Sequence, residues 1–168
     1  MSETNLLKVD PLLDGVQPST TPVSREAMEL AEFIKDRSHS LVDRIESYQD
    51  IISLEIGDTP LTRMRNVERE TGLRQLYIKF EGGNPSGTQK DRIAFAQCLD
   101  AMRRGYDTIS VATCGNFGAA TAQAAFLAGL HCKVFIPETY HTDRISEMAS
   151  YGAEVIRFPG SYEDNVYH

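Results

Sequence analysis

Residues 81–92, EGGNPSGTQKDR, join a predicted strand to a predicted helix. The apolar residues of 76–80 before them give the strand, and a helical spacing of apolar residues over about 91–104 gives the helix. A loop so rich in glycine and proline can turn sharply and bring its backbone close to a bound group. Lys90 opens the helix, where unpaired N–H groups create a positive potential that favours the neutral form of a nearby amine.

Taken alone, this lysine loop has three interpretations. A phosphate-binding P-loop requires Gly-x4-Gly-Lys-Ser/Thr, but here Thr88 follows Gly87 and Lys90 comes two positions late. The second interpretation, the commonest for an isolated loop, is a glycine-rich turn with an exposed lysine at a helix start. The third is a lysine that forms a Schiff base with an aldehyde cofactor. The rest of the chain has to decide between the last two.

Short β-rich runs alternate with helical patterns after the lysine loop. Strands are predicted at 108–112, 132–136 and 154–158, and helices at 118–129 and within 142–152. This alternation predicts an α/β fold with a parallel sheet, right-handed crossovers and helices on both faces, a three-layer αβα arrangement.

The chain divides into three predicted regions. Residues 1–23 are rich in proline and are expected to form an irregular N-terminal arm. Residues 24–50 are expected to hold two amphipathic helices, 25–36 and about 40–49, which carry no evident chemistry. Residues 51–168 form the α/β region that contains the candidate site.

Composition excludes several classes of function. The 168 residues are 41% hydrophobic and 24% charged, typical of a globular protein, and no apolar run is long enough to span a bilayer. A net charge of -7 argues against nonspecific nucleic-acid binding. The N-terminus lacks the features of a signal peptide, so a cytoplasmic location is expected. The spacing of the cysteines and histidines predicts neither a disulfide framework nor a metal site.

A second loop, TCGNFG at residues 113–118, also joins a predicted strand to a helix. Ligands of open α/β sheets bind at such carboxyl ends of strands, and the loop N–H groups could receive a carboxylate or phosphate. The loop approximates the dinucleotide fingerprint GxGxxG, with Thr113 in place of the first glycine and Glu138 at about the spacing of the ribose-binding acid. A nicotinamide-nucleotide domain is therefore an alternative, although it gives Lys90 no role. Cys114 could be a nucleophile at a helix start, but a small side chain in a tight turn is the simpler interpretation.

Together, these motifs resemble the pyridoxal-phosphate enzymes of the tryptophan synthase β type, called fold-type II, with the threonine synthase branch as the most similar. The matching motifs follow the family's order along about residues 50–164: GDTPL at 57–61, NPSGTQKDR at 84–92, TCGNFG at 113–118, IPE at 136–138 and YGAEV at 151–155. Several ordered motifs are far more specific than any one of them. Two residues depart from the family pattern: Gln89 replaces an apolar or aromatic residue, and Cys114 replaces serine or threonine.

The resemblance implies roles for particular residues. Lys90 would hold pyridoxal 5'-phosphate and act as the catalytic base at the substrate α-carbon. Asn116 would hydrogen-bond the phenolic oxygen of the cofactor ring. The carboxylate of a small amino-acid substrate would be received by the loop Thr113, Cys114, Gly115, Asn116 and Phe117. The implied activity is a lyase reaction by β/γ-elimination or replacement, most similar to the conversion of O-phosphohomoserine to threonine.

The second half of the family's two-domain architecture, with its glycine-rich loop for the cofactor phosphate, has no counterpart in these residues. We therefore expect the chain to be inactive alone and to form a homo-oligomer or to require a missing C-terminal half. Residues 76–80 and the N-terminal helices are then expected to expose apolar surface. An inactive interaction module that keeps the fold is the non-enzyme alternative.

Overall fold

The computed structural model describes residues 23–113 and 115–160, so the predicted N-terminal arm lies outside the described residues apart from Val23. The elements in chain order are α1 (Arg25–Lys35), α2 (Leu41–Glu55), β1 (Leu61–Arg63), α3 (Arg65–Thr71), β2 (Tyr77–Lys79), α4 (Lys90–Arg103), β3 (Thr108–Ala112), α5 (Asn116–Ala128), β4 (His131–Pro137), α6 (Ile145–Ser150) and β5 (Glu154–Phe158). A short 3-10 turn, Glu81–Gly83, precedes the lysine loop.

The strands β3, β4 and β5 form a parallel sheet in sequential order. Its register aligns Val111 with Val134 and Val134 with Val155, and all three side chains are buried on one face. Right-handed crossovers that move along the sheet in one direction place their helices on the same face, and α5 and α6 do contact each other. The α/β fold class with a parallel sheet and helices is confirmed.

The predicted strand at 76–80 does not belong to this parallel sheet. Its central residues form β2, which pairs antiparallel with β1 in a separate two-stranded sheet. Tyr77, Ile78 and Phe80 are 51%, 46% and 59% exposed, because neither face of the two-stranded sheet packs extensively against another helix or strand among residues 23–113 and 115–160. The expectation of exposed apolar surface on this segment is therefore met.

Helix α2 is longer than predicted, since it continues from Leu41 to Glu55 instead of ending near residue 49. Ile51 lies about one turn beyond Tyr48 and is fully buried with it. The Tyr48 hydroxyl donates a hydrogen bond to the carbonyl of Ala124, at 3.1 Å, and its ring stacks with that of Phe95, with centroids 6.0 Å apart. Tertiary packing therefore decided the helix end, and the N-terminal helices share one core with the α/β region.

Helix α5 lies at the centre of the described structure. Its residues from Gly118 to Ala125 are all buried, since α1, α4, α6 and the sheet surround it. It starts at the end of β3, while α4 starts at the end of the lysine loop, and these two helices have the most extensive mutual contact in the described structure. None of the helices within the described ranges is both long and apolar enough to cross a membrane.

Candidate functional site

The lysine loop is held to the start of α4 by side-chain hydrogen bonds. The Thr88 hydroxyl accepts the backbone N–H of Lys90 at 3.1 Å, which satisfies one of the N–H groups that a helix start leaves unpaired. The Asp91 carboxylate accepts the backbone N–H of Ser86 at 3.2 Å and the Ser86 hydroxyl at 2.7 Å. These bonds fix the backbone on both sides of Gly87, whose φ of 78° suits glycine. Lys90 is half-buried as the first residue of the helix.

Asp91 is a fully buried carboxylate. Burial raises the pKa of Asp91, because removal from water disfavours the charged form, while the hydrogen bonds from Ser86 act in the opposite direction. The residue is thus a structural anchor of the loop, since its oxygens are committed to Ser86.

The other side of the loop is held by an ionic network around Glu81. Its carboxylate accepts from Arg92 Nε at 2.8 Å, from the Thr59 hydroxyl at 3.1 Å and from Asn84 Nδ2 at 3.1 Å. The Arg92 guanidinium also donates to the carbonyl of Gly57 at 3.0 Å. The hydrogen bonds from Arg92, followed by those from Asn84 and Thr59, lower the pKa of Glu81 to about 2.

This network predicts a pH dependence of stability. Because the folded-state pKa of Glu81 is about 2 against an ordinary value of 4.5, its contribution is fully present above about pH 4.5 and is lost as the pH falls toward 2. We expect urea unfolding to show the wild-type chain losing more stability over this interval than Glu81→Gln does. Equal slopes for the two proteins between pH 4.5 and pH 2 would contradict the network.

The loop between β3 and α5 is folded around the Thr113 hydroxyl. This oxygen accepts the backbone N–H groups of Gly115 and Gly118, each at 3.2 Å. Gly115 has a φ of 154°, and a Cβ there would lie 3.1 Å from Thr142 Oγ1, so a side chain would be strained and crowded. The Thr113 hydroxyl therefore stabilises the conformation of this loop through hydrogen bonds to its backbone.

Two N–H groups at the start of α5 have no acceptor among the described residues and could bind a ligand. Within the described part of the chain, the backbone N–H groups of Asn116 and Phe117 have no hydrogen-bond acceptor, as is normal for the first residues of a helix. The N–H group of Gly115, which we expected to receive a substrate carboxylate, is already bonded to Thr113. An anionic group would therefore bind to the N–H groups of Asn116 and Phe117 and not to that of Gly115.

A cavity of about 660 Å³ brings the two loops together. The volume lies in the range of small-molecule sites, about 300–1,000 Å³. Every described residue predicted for the site lines this cavity: Lys90, Thr113, Gly115, Asn116 and Phe117. Cys114, the remaining predicted site residue, lies outside the described residues. The cavity establishes proximity, while the roles assigned to these residues stay predictions.

Sequence reasoning missed one wall of the cavity. That wall is the segment after β4, residues 140–144, and it includes Arg144. The position of this segment after a predicted strand could have indicated its role. The strand β4 lies next to β3, and the carboxyl ends of neighbouring parallel strands meet at the same edge of a sheet. In this wall the Thr142 hydroxyl accepts the backbone N–H of Arg144 at 3.3 Å.

Arg144 links three parts of the site. Its Nη1 donates to Asn116 Oδ1 at 2.9 Å, and its Nη2 donates to the carbonyl of Ser86 in the lysine loop at 2.8 Å. Its Nε and Nη2 also form a two-point ion pair with the Glu147 carboxylate, at 2.8 and 2.7 Å. The side chain is 22% exposed. One guanidinium therefore connects the starts of α4 and α5 to α6.

Comparison with known proteins identifies the family. A sequence profile of the pyridoxal-phosphate dependent enzymes matches residues 52–168, more than half of the chain. The chain belongs to this family. The profile match covers both loops of the cavity, so pyridoxal 5'-phosphate replaces the nicotinamide nucleotide as the cofactor to be considered at this site.

Individual relatives agree with this assignment but differ in activity. The chain is 35% identical to threonine synthase of Methanocaldococcus jannaschii over 121 residues, which are 71% of this chain and 30% of that enzyme. It is 37% identical to cysteine synthase B of Salmonella typhimurium over 105 residues, 60% of this chain and 34% of that enzyme. A solved structure of a pyridoxal 5'-phosphate-dependent aspartate racemase matches with a TM-score of 0.62 and 31% identity, covering 72% of this chain and 39% of the racemase. The chain thus spans about a third of the length of the curated relatives it matches.

The donor set of the cavity fits pyridoxal 5'-phosphate. Lys90 supplies a primary amine, the group that an aldehyde cofactor requires. The Asn116 side chain offers its Oδ1 to Arg144, which leaves its Nδ2 group as a hydrogen-bond donor. The N–H groups of Asn116 and Phe117, which have no acceptor among the described residues, can receive an anion. The fit therefore concerns the aldehyde side of the cofactor and the anionic part of a substrate.

Proposed function

We propose that this chain supplies the lysine-bearing part of a pyridoxal-phosphate-dependent lyase that acts on a small amino acid by β/γ-elimination or replacement. The observation that carries the proposal is that Lys90 and Asn116, at the starts of two packed helices, line one cavity in a chain of this family. When bound, the cofactor supplies an electron sink that makes the α-proton of an amino acid removable.

Lys90 has two tasks in this proposal. Its Nζ would hold the cofactor at the aldehyde carbon and, once released, would accept the proton from the substrate α-carbon. The loop contacts of Ser86, Thr88 and Asp91 serve both tasks, because they fix the backbone from which the side chain extends. Lys90 itself is half-buried at the start of α4 and lines the cavity.

The start of α5 would orient the cofactor and the substrate. The Nδ2 group of Asn116 would donate a hydrogen bond to the phenolic oxygen of the cofactor ring. The backbone N–H groups of Asn116 and Phe117 would receive the substrate carboxylate, which is favoured by the positive end of the helix dipole. Thr113 would act indirectly, since its hydroxyl holds the loop that presents these groups.

Within the family we favour a threonine synthase-like reaction on O-phosphohomoserine. The motif at residues 57–61 and the match to threonine synthase over 121 residues support this choice. The 37% identity to cysteine synthase B supports serine-derived substrates as the second candidate. We also propose a cytoplasmic location and completion of the site by a homo-oligomer or by a C-terminal half.

The cofactor assignment predicts where pyridoxal 5'-phosphate will attach. After mixing, borohydride reduction and peptide mass spectrometry, we expect Lys90 to be modified in preference to the other lysines. The visible absorption band of the imine should be present in the wild-type chain and absent in Lys90→Ala. Lys133→Ala is the matched control, because Lys133 is an exposed sheet residue 46% accessible to solvent and does not line the cavity.

Modification spread evenly over all lysines would refute a cofactor site at Lys90. For the substrate, O-phosphohomoserine, serine and phosphoserine would be added to the pyridoxal-phosphate-loaded chain. A spectral change with O-phosphohomoserine alone would favour the threonine synthase-like activity. Modification at Lys90 without a response to any amino acid, even with the family's C-terminal half added in trans, would favour the inactive module.

A further inference from the structure

The hydrogen bond from Arg144 determines the orientation of the Asn116 carboxamide, that is, the positions of its oxygen and nitrogen atoms. A guanidinium has five N–H donors and no acceptor, so the atom of Asn116 that lies 2.9 Å from Arg144 Nη1 has to be the oxygen. The two Nδ2 protons of Asn116 are then left over, and no described residue accepts them. The orientation follows from the chemistry of the two groups alone.

The Arg144 guanidinium is itself held on three sides. Four of its N–H groups are used: two by Glu147, one by the Ser86 carbonyl and one by Asn116. The Glu147 carboxylate compensates its charge at 2.7 Å. Arg144 is therefore poorly suited to bind a substrate carboxylate directly, although it lines the cavity, because its charge and most of its donors are already engaged.

The same side chain also joins segments that are remote in sequence. Ser86 and Asn116 lie 58 and 28 residues away from Arg144, and each belongs to a different loop of the cavity. Ser86 is in turn bonded to Asp91 in the first turn of α4, next to Lys90. A displacement of Arg144 would thus be transmitted to both helix starts.

We infer that Arg144 is a positioning residue, which fixes the Asn116 carboxamide with Nδ2 as its free donor and holds the lysine loop through the Ser86 carbonyl. This inference rests on the proposed function for its consequence, the orientation of a donor toward pyridoxal 5'-phosphate. The hydrogen bonds from Arg144 to Asn116 and Ser86 involve only residues of this chain, so their effect can be measured without the cofactor.

Loss of the hydrogen bonds from Arg144 to Asn116 and Ser86 is expected to change the backbone dynamics of both loops. In Arg144→Met, hydrogen exchange of the segments 84–92 and 115–118 should be faster by about tenfold, since a charge-assisted hydrogen bond to each loop is lost. The side-chain NH2 signals of Asn116 should shift in the NMR spectrum of the same variant. Arg104→Met is the matched control, because Arg104 forms an exposed ion pair with Asp100 and does not line the cavity. Exchange in both segments equal to that of Arg104→Met would overturn the inference.

The consequence for the cofactor is tested by a double-mutant cycle. Arg144→Met should weaken pyridoxal-phosphate binding at Lys90 about tenfold, and its effect should be smaller in an Asn116→Ala background, where only the contact with the Ser86 carbonyl remains to be lost. Asn116→Asp separates the two roles of that residue: its carboxylate still accepts from Arg144, so loop exchange should stay slow, but it cannot donate, so cofactor binding should fall. Arg144→Lys should rescue only in part, since one ammonium cannot span three partners.

The outcomes distinguish the inference from the function on which it rests. If Lys90 is not modified in the wild-type chain, the proposed function fails. The hydrogen-exchange and NMR data would still show whether Arg144 positions Asn116 and the lysine loop. If Arg144→Met weakens cofactor binding equally with and without Asn116, the positioning role through Asn116 is wrong and the cofactor site stands.

Discussion

Replacing Phe95 by alanine is expected to lower the free energy of unfolding by about 3–5 kcal/mol, the usual cost of removing a buried aromatic ring. Phe95 is fully buried on α4, stacks with Tyr48 of α2 and belongs to the core that also contains α5. The cavity left behind would lie where the N-terminal helices join the α/β region. Urea unfolding followed by circular dichroism measures the change.

The matched control is Ile93→Ala, on the same helix two residues earlier. Ile93 is 47% exposed, so its truncation should change the free energy of unfolding by less than about 0.5 kcal/mol. A loss for Phe95→Ala no larger than that for Ile93→Ala would show that α2 and α4 do not share a packed core.

The second large effect is expected at Gly118, where α5 packs against the sheet. A Cβ at this position would lie 2.6 Å from Thr113 Cγ2, 2.8 Å from Met148 Cε and 3.0 Å from Val134 Cγ1. Gly118→Ala should therefore lower the free energy of unfolding by about 1–3 kcal/mol through overpacking. This is opposite in sign to the gain of about 1 kcal/mol that alanine normally brings inside a helix.

A second change tests the mechanism of this loss. Thr113→Ser removes the Cγ2 methyl group but keeps the hydroxyl that accepts from Gly115 and Gly118, so it should restore part of the stability of Gly118→Ala. Gly83→Ala is the control, because its nearest neighbour would be Pro60 Cδ at an ordinary 3.5 Å. Stabilisation by Gly118→Ala alone would mean that α5 does not approach the sheet this closely.

The close approach at Gly118 has a consequence for the site. Thr113 contacts the position of the missing Cβ with its methyl group and holds the loop with its hydroxyl, so helix packing and loop shape depend on the same side chain. Asn116 and Phe117, whose N–H groups have no acceptor among the described residues, lie between Thr113 and Gly118 in the chain. We therefore expect Gly118→Ala to weaken ligand binding in the cavity beyond its effect on stability.

Much of this protein was determined by local sequence. The β-rich runs at 108–112 and 154–158 predicted β3 and β5 with their observed bounds, because the preference of β-branched and aromatic residues for strands is a local property. The lysine loop and the loop at 113–118 were found from glycine content and position, and both line the cavity. Their ordered motifs also identified the family, which the profile match over residues 52–168 confirms.

Only the tertiary structure decided the rest. The extension of α2 to Glu55, the antiparallel pairing of β1 with β2 and the contacts of Arg144 depend on partners distant in the chain. Local periodicity carries no information about such partners, since burial and hydrogen bonding depend on which segments meet in space. The sequence alone identified Lys90 and Asn116 as candidate site residues. The packing of α4 against α5 places both residues in the wall of one cavity, where Arg144 forms hydrogen bonds to both of their loops.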